Sequence, residues 1–201
     1  MTLSDSELLR LMLAGDEDAF AALYRRHQGL IYRFALLMSG SASIAEDVVQ
    51  EVFLALVREA QRYEPGRASL PAYLCGIARN HVRRLLKRLS VYVPLTEEAE
   101  GSDMAALPEA GDQDDPFRRY ASNEAARLVR SAVLALPTRY REVVVLCDFQ
   151  EWTHADAASA LGCPVGTIHS RLHRAHALLL KKLRETRGLD PAGEKKSRCF
   201  A

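Results

Sequence analysis

The chain has 201 residues, with 27 lysines and arginines against 26 aspartates and glutamates, so its formal net charge is +1. An apolar content of 48% with 26% charged residues excludes a fibrous or wholly disordered chain, and the length fits one mid-sized domain or two small ones. No apolar run approaches the roughly 18–20 residues that cross a bilayer, and the first residues do not resemble a signal peptide. We therefore expect a cytoplasmic protein without membrane insertion.

The charged residues divide the chain into three parts. Residues 1–90 carry 12 basic and 10 acidic side chains, residues 91–117 carry no basic and 8 acidic ones, and residues 118–201 carry 15 basic and 8 acidic ones. The middle part is rich in proline, glycine and alanine and has no sustained periodicity, as is typical of a flexible linker. We predict an all-α protein with four parts: a four-helix domain at 1–90, an acidic linker at 91–122, a helix-turn-helix domain at 123–187 and a polar tail at 188–201.

Helical periodicity runs through the first domain, and no segment alternates as a strand would. Side chains that typically cap helices precede each periodic segment. They are Ser4 (with Glu7 three residues on), Asp16, Ser43 (with Glu46) and Ser69.

The third predicted helix has two distinct faces. Its apolar residues predict an inward stripe made of Ile44, Val48, Val52, Leu56 and Val57. Four other residues lie off that stripe, namely Asp47, Gln50, Glu51 and Leu54.

The fourth predicted helix is strongly cationic, with five basic residues and no acidic one between positions 79 and 88. Arg79 and Arg83 lie one turn apart, while Asn80 and Arg84 share a neighbouring face. Such cations can neutralise phosphates, an asparagine amide can pair with a base edge, and the ring of Tyr73 offers a stacking surface for a base. The alternative is a solvated basic face beside a core tyrosine.

The second domain contains a short alanine-rich helix, a glycine turn and a long basic helix. Thr153 with Asp156 predicts the start of the short helix, and Gly162 predicts its left-handed end. This layout is typical of a helix-turn-helix, although unrelated helical hairpins share it. The side chains that project from the start of the long helix, at about 165–187, are those expected to enter a major groove. They include Thr167, His169, Ser170, Arg171 and Arg174.

Metal and catalytic chemistry have little support in this sequence. Histidines at 169, 173 and 176 have helical spacing, but no carboxylate or thiol matches them and Arg174 would repel a cation. We find no catalytic pair and no nucleotide-binding glycine loop, so we expect neither an enzyme nor a bound cofactor. The cysteines form no CxxC pair and are expected to be free thiols: Cys75, Cys147, Cys163 and Cys199.

Four segments together resemble a known family. They are DAFAALYRRHQGLIYRFA, AEDVVQEVFLAL and LPAYLCGIARNHVRRLLKR in the first domain, and LPTRYREVVVLCDFQEWTHADAASALGCPVGTIHSRLHRAHALL in the second. In order and spacing they are similar to the extracytoplasmic-function (ECF) sigma factors, which are two-domain initiation subunits of bacterial RNA polymerase. The resemblance covers about residues 15–90 and 123–185.

The resemblance implies a non-enzymatic factor that brings core RNA polymerase to specific promoters. By this resemblance, the fourth helix would bind and melt the −10 element through Tyr73, Arg79, Asn80, Arg83 and Arg84. The long basic helix would read the −35 duplex through Thr167, His169, Ser170, Arg171 and Arg174. Core polymerase would contact Asp47, Gln50, Glu51 and Leu54, and an anti-sigma factor is implied as a further partner. The alternative is a stand-alone helix-turn-helix regulator that binds duplex DNA without polymerase.

Overall fold

A computed structural model describes residues 3–92 and 116–186, with side chains for residues 3–88 and 124–186. The regular structure in these ranges is helical and includes no strand, which confirms the all-α prediction. The first domain contains α1 (Asp5–Leu13), α2 (Glu17–Ser39), α3 (Ala42–Glu59) and α4 (Leu70–Tyr92). The second contains α5 (Pro116–Leu134), α6 (Thr138–Val144), α7 (His154–Leu161) and α8 (Val165–Thr186), and a π-helical turn at Val145–Phe149 extends α6.

Four of the predicted helix caps are present. The Ser4 hydroxyl accepts a hydrogen bond from the backbone of Glu7, whose carboxylate accepts one from the Ser4 backbone at 2.8 Å, so this capping box is complete. Asp16 caps α2, Ser69 caps α4 and Thr153 caps α7, each through its side-chain oxygen. Each cap satisfies an amide that the helix itself leaves unpaired, and each contributes about 1 kcal/mol.

The predicted capping box of Ser43 with Glu46 is wrong. α2 ends at Gly40, which has the left-handed φ of 75°. Only Gly40 and Ser41 separate the two helices, and the Ser41 hydroxyl accepts from the backbone of Ile44 at 3.4 Å. The connection is too short for a cap at position 43, which already lies inside α3.

The helices beside the acidic part extend into the span 91–122 that was predicted as linker. α4 continues to Tyr92 and α5 begins at Pro116, where a proline is favoured because the first helical turn leaves its amides unpaired. Residues 93–115, which hold all eight acidic residues of the predicted linker, lie outside the described residues. The predicted tail and Cys199 lie outside them as well.

The core of the first domain is built around α2, which packs against α1, α3 and α4. Its most completely buried side chains are Leu23, Ile31, Phe34 and Met38. From α3, Val48, Val52 and Leu56 are buried as predicted, and Val49 and Phe53 join them. Val57 was also predicted to face inward, but it is 55% exposed. It lies in the last turns of α3, one turn beyond the buried Phe53.

The two domains are packed against each other. One cluster of buried apolar side chains runs from the first four helices into α6, α7 and α8. α4 contacts α7, while α2 contacts α5 and α6. At Gly76 the helices α4 and α7 are in contact, since a Cβ there would lie at van der Waals distance, 3.4 Å, from the carbonyl oxygen of Ala160. At Gly40 the side chain of Leu134 occupies the corresponding space.

Candidate nucleic-acid interface

A cavity of about 810 Å³ lies where α4 meets the helix-turn-helix. One wall is formed by α4 and the loop before it, and the opposite wall by α7 and the turn after it. Three of the residues predicted to bind the −10 element line this cavity: Tyr73, Arg79 and Asn80. The loop adds two further cations, Arg62 and Arg67. The structure therefore brings an aromatic ring, an amide and several guanidinium groups together.

Tyr73 is half-buried on the cavity wall. Its ring packs against that of Tyr63 with centroids 5.2 Å apart, and the Tyr63 hydroxyl donates to the carbonyl of Ala68 at 3.0 Å. Burial raises the pKa of Tyr73 above its ordinary value, and the nearby Glu59 adds to the effect. The Tyr73 phenol is therefore neutral at physiological pH. A neutral ring can stack on a base, whereas a negatively charged phenolate would be repelled by the phosphates of a nucleic acid.

The cations of α4 do not all face the cavity. Arg79 Nε donates to the carboxylate of Glu142 at 2.9 Å, and Arg83 Nε lies 3.7 Å from the same oxygen. Asn80 between them is exposed. Arg84 lies on a different face, where its guanidinium is 3.2 Å from the ring nitrogen of His81. The prediction grouped Arg84 with the others, whereas in the fold it belongs to the next groove.

That groove, of about 370 Å³, lies between α3 and α4 and holds most of the residues predicted to bind core polymerase. Its lining includes Asp47, Gln50, Glu51, His81, Arg84 and Arg88. Burial lowers the pKa of His81, and the positive charge of Arg84 lowers it further. The groove therefore combines carboxylates from α3 with cations from α4.

The outer face of α3 continues this surface with apolar groups. Leu54, the remaining predicted contact, is 46% exposed, and Val57 beside it is 55% exposed. Two exposed apolar side chains one turn apart, next to exposed carboxylates, form a surface that another protein can cover. The sequence prediction missed Val57 because it assigned that residue to the core.

The helix-turn-helix has the predicted geometry. Thr153 caps α7 and Gly162 ends it with a left-handed φ of 60°. Ile168 and Ala157 are fully buried between the helices. The predicted groove-reading residues lie at the start of α8: His169, Ser170 and Arg174 are exposed, and Thr167 and Arg171 are half-buried.

Two contacts fix side chains near the start of α8. His169 packs edge-on against His154 of α7, with ring centroids 4.2 Å apart. A hydrogen bond from Arg174 lowers the pKa of Tyr140, and Arg139 lies 4.7 Å from the centre of the same ring. Arg174 is thus held against α6, which limits the directions in which its guanidinium can point.

Sequence reasoning missed the residues that join the two domains. Glu142, Arg141 and Gln150 all lie in or next to the apolar segment REVVVLCDFQ, and each contacts the first domain. The sequence did contain one signal for this contact. Arg141 and Glu142 are adjacent charged residues in an otherwise apolar helix, and a buried charge requires a partner. The partner itself was not predictable, since Arg79 is 63 positions away.

Within the described residues, no group of three or more histidine, cysteine, aspartate or glutamate side chains is placed to hold a metal ion. Cys75, Cys147 and Cys163 are free thiols, as expected, and Cys75 is buried. None of the helices in the described ranges has the length and hydropathy needed to cross a membrane.

Comparison with known proteins agrees with this architecture. A family model for sigma-70 region 2 matches residues 23–91, and one for sigma-70 region 4 matches residues 126–179. The ECF RNA polymerase sigma factor SigM of Mycobacterium tuberculosis is 35% identical over 184 residues, which is 90% of this chain and 85% of that protein.

Solved structures have the same fold. CnrH in complex with the cytosolic domain of CnrY matches with a TM-score of 0.66 and 27% identity, covering 90% of this chain and 97% of that one. The sigma factor RpoE in complex with the anti-sigma factor NepR, from Bartonella quintana, matches with a TM-score of 0.61 and 23% identity. The shared part covers 82% of this chain and 96% of that one.

A region 2 domain followed by a region 4 domain defines a sigma factor, the class of subunit that directs RNA polymerase to promoters. Within that class, the chain belongs to the ECF RNA polymerase sigma factors.

Proposed function

We propose that α4 and the loop before it hold an unstacked base of the −10 element. The observation that carries this proposal is the cavity that Tyr73, Arg79 and Asn80 line together. Tyr73 would stack on the base and Asn80 would pair with its edge, while Arg79 and Arg83 neutralise phosphates. Arg84 would bind phosphate from the neighbouring groove.

The energies of this arrangement are compatible with melting. Taking one base out of the duplex costs a few kcal/mol, least where the strands are already separating. Stacking on an aromatic ring returns about 1–3 kcal/mol per base, and edge contacts from an amide add to it. A pocket with the ring of Tyr73 and the amide of Asn80 can therefore hold a separated DNA strand, once polymerase has brought that strand to the pocket.

We propose that α8 reads the −35 duplex. Its exposed start carries His169, Ser170 and Arg174, with Thr167 and Arg171 half-buried beside them. Arginine is suited both to guanine edges and to phosphates. The capped α7 and the glycine turn support a fixed angle between the two helices, which docking in a major groove requires.

We propose that core polymerase covers the outer face of α3. Asp47, Gln50 and Glu51 supply polar contacts and Leu54 an apolar one, and Val57 extends the apolar part. Side chains of this kind, grouped on one exposed helix face, are typical of a protein interface with an apolar centre and a polar rim.

Further properties are proposed from membership in this family. We propose that the factor acts in the cytoplasm without catalysing a reaction itself, in two domains at about 1–90 and 123–187 joined by the linker. We also propose an anti-sigma factor as a partner, because the related RpoE of Bartonella quintana was solved in complex with one.

The proposal is tested by run-off transcription with core polymerase and a library of −35 and −10 sequences. Promoter-dependent transcripts that require the factor support it, and their absence with every sequence contradicts it. A gel shift with duplex DNA separates the alternative, because a stand-alone regulator binds duplex tightly without polymerase, whereas a sigma factor of this kind requires the core enzyme.

A further inference from the structure

Two histidines meet where α7 lies beside the start of α8. The ring of His154, the first residue of α7, packs edge-on against the ring of His169, with centroids 4.2 Å apart. His169 is exposed and His154 is half-buried. The first helix of a helix-turn-helix crosses the DNA backbone while the second enters the major groove. A pair of rings that joins the starts of both helices therefore lies where a backbone phosphate would pass.

The helix-turn-helix carries little permanent positive charge around this pair. Residues 153–175, which span α7, the turn and the first half of α8, contain two arginines and one aspartate, a net charge of +1 without the histidines. The same residues contain three histidines. Imidazole is the side chain that ordinarily gains its charge between about pH 8 and pH 5, and DNA affinity depends on cations that neutralise phosphates. Histidine protonation is therefore the main way in which this unit becomes strongly cationic.

The carboxylates near the pair bind other groups or face water. Asp156 of α7 accepts a hydrogen bond from the Thr153 hydroxyl at 2.6 Å, and Asp148 of the π-helical turn lies 2.8 Å from the ring of His176. Glu151, which precedes α7, is exposed. In the described part of the chain, ion pairs link carboxylates to other histidines but not to either ring of the pair. A proton on the pair is therefore free to attract an anion from outside the protein.

The cations near the pair lie on α8 and α6. His173, one turn along α8, is exposed and Arg171 is half-buried, while Arg174 is hydrogen-bonded to Tyr140 of α6 with Arg139 beside it. α4 packs against the other end of α7, and α5 meets the far end of α8. Because like charges repel, two touching imidazoles in this setting take up a first proton more readily than a second. The exposed ring is the better place for that proton, since water solvates a charge there.

We propose that His169, in its protonated form, binds a backbone phosphate of the −35 duplex, and that His154 is the positioning residue that fixes its ring. This inference rests on the proposed −35 role of α8. The protonated ring donates a charge-assisted hydrogen bond to a phosphate oxygen, while the edge-on packing limits the directions that the ring can take. A phosphate contact carries no sequence information, so it strengthens binding equally for all −35 sequences. The contact is lost as pH rises, because the imidazole loses its proton.

Four variants separate the charge of His169 from the packing of His154. His169→Gln removes the titrating ring, and His169→Lys places a permanent charge at the same position. His154→Gln removes the ring contact, whereas His154→Phe keeps an aromatic ring there without a titrating group. The matched control is His176→Gln, which removes an imidazole of the same helix that is already paired with Asp148.

Binding of the holoenzyme to promoter DNA, measured over a series of KCl concentrations, tests the proposal. The slope of log K against log [KCl] counts the phosphates that the protein neutralises. At about pH 6 we expect H169Q to bind about three- to tenfold more weakly than the unmodified factor, with a slope shallower by about one. At about pH 8 the two should agree within about twofold, because the imidazole is then neutral.

The other variants have distinct expected results. H169K should match the unmodified factor at about pH 6 and bind about three- to tenfold more tightly than it at about pH 8. At about pH 6, H154Q should bind almost as weakly as H169Q, and H154F should restore the affinity because it restores the ring contact. H176Q should stay within about twofold of the unmodified factor at both pH values.

The alternatives give different results. Equal binding by H169Q and the unmodified factor at about pH 6 overturns the proposal, and so does a loss confined to particular −35 sequences, which would assign His169 to a base. An H154Q protein that binds as the unmodified factor does, or an H154F protein as weak as H154Q, overturns the positioning role of His154. Arg171→Ala and Arg174→Ala distinguish failure of this inference from failure of the −35 proposal, since only the latter leaves both of these variants at full affinity.

Discussion

The guanidinium of Arg141 donates to the carbonyl of Met38, 103 positions earlier in the chain. The same group also donates to the carbonyls of Leu134 and Leu136. One side chain therefore caps the ends of α2 and α5 together and ties the two domains to each other. Burial lowers the pKa of Arg141 below its ordinary value, but the group remains charged at any physiological pH.

Replacing Arg141 with alanine is expected to lower the free energy of unfolding by about 2–3 kcal/mol, because three carbonyls lose a charge-assisted donor. Arg141→Lys is expected to restore less than half of this, since an ammonium cannot present the planar fork. Urea unfolding followed by circular dichroism measures both. The control is Arg139→Ala, which removes the neighbouring, exposed arginine and should cost about 0.5 kcal/mol or less. Equal stability of the Arg141→Ala and Arg139→Ala proteins would contradict this role.

The thiols provide a prediction about pH. Burial raises the pKa of Cys147 from its ordinary 9.0 to about 11, with Asp148 adding to the shift, and burial also raises the pKa of Cys75. As pH rises above 9, the unfolded chain loses these protons before the folded one does, so stability falls with rising pH.

Thiol reactivity tests those shifts site by site. We expect alkylation of Cys147 by iodoacetamide to be slow at pH 8 and to accelerate about tenfold per pH unit up to pH 10, because the thiolate is the reacting form. Cys75 should react only in denaturant. Peptide mapping by mass spectrometry gives the rate at each site. Fast alkylation of Cys147 at pH 8 in the folded protein would show that its thiol is not shielded.

The −35 proposal makes a prediction for α8. Arg171→Ala or Arg174→Ala should each cost about 1–3 kcal/mol in promoter binding by the holoenzyme where the side chain reads a base, and should relax the preference at one position. Arg184→Ala, at the exposed far end of the same helix, should lower affinity slightly and equally for all sequences. Promoter strengths in a −35 library provide the measurement. Unchanged strength in both Arg171→Ala and Arg174→Ala would refute the assignment.

The α3 surface predicts how the factor meets polymerase. Leu54→Asp and Val57→Asp should each weaken binding to core polymerase by about tenfold or more, because a charge would have to be buried in the apolar centre of an interface. Leu13→Asp makes the same change at an exposed leucine of α1 and should have no effect. Titration of core polymerase with labelled factor measures all three. Equal affinities for the Val57 and Leu13 variants would exclude Val57 from the contact.

The parts of this fold that were predictable from sequence depend on local rules. Ser4, Asp16 and Thr153 cap helices because each lies next to the amides that it satisfies. The same capping rule predicted the wrong serine before α3, because Ser41 and Ser43 are both residues that favour the N-cap position. The left-handed Gly40 ends α2 and places Ser41 at the start of α3, so Ser41 is the cap. Val57 was placed wrongly for a related reason: periodicity gives a helix face, but only the neighbouring helices decide how far along the helix that face is covered.

The packing of the domains was beyond sequence reasoning. An acidic segment between two helical patterns favoured two separate modules, and nothing local pairs Glu142 with Arg79. Their contact depends on how α6 packs beside the first domain, which is a property of the tertiary arrangement. For the same reason the cations of α4 were predicted as one surface, whereas the fold divides them between the Tyr73 cavity and the groove that contains Arg84.

The proposed binding of an unstacked −10 base depends most on the cavity that Asn80 shares with Tyr73. Permanganate footprinting of open complexes, with holoenzyme carrying Asn80→Ala, tests it directly. We predict normal binding of the variant to core polymerase but a much slower appearance of reactive thymines at the −10 element, because the unstacked base has lost its polar partner. Melting at the rate of the unmodified holoenzyme, with polymerase binding intact, would contradict a role for this cavity in holding an unstacked base.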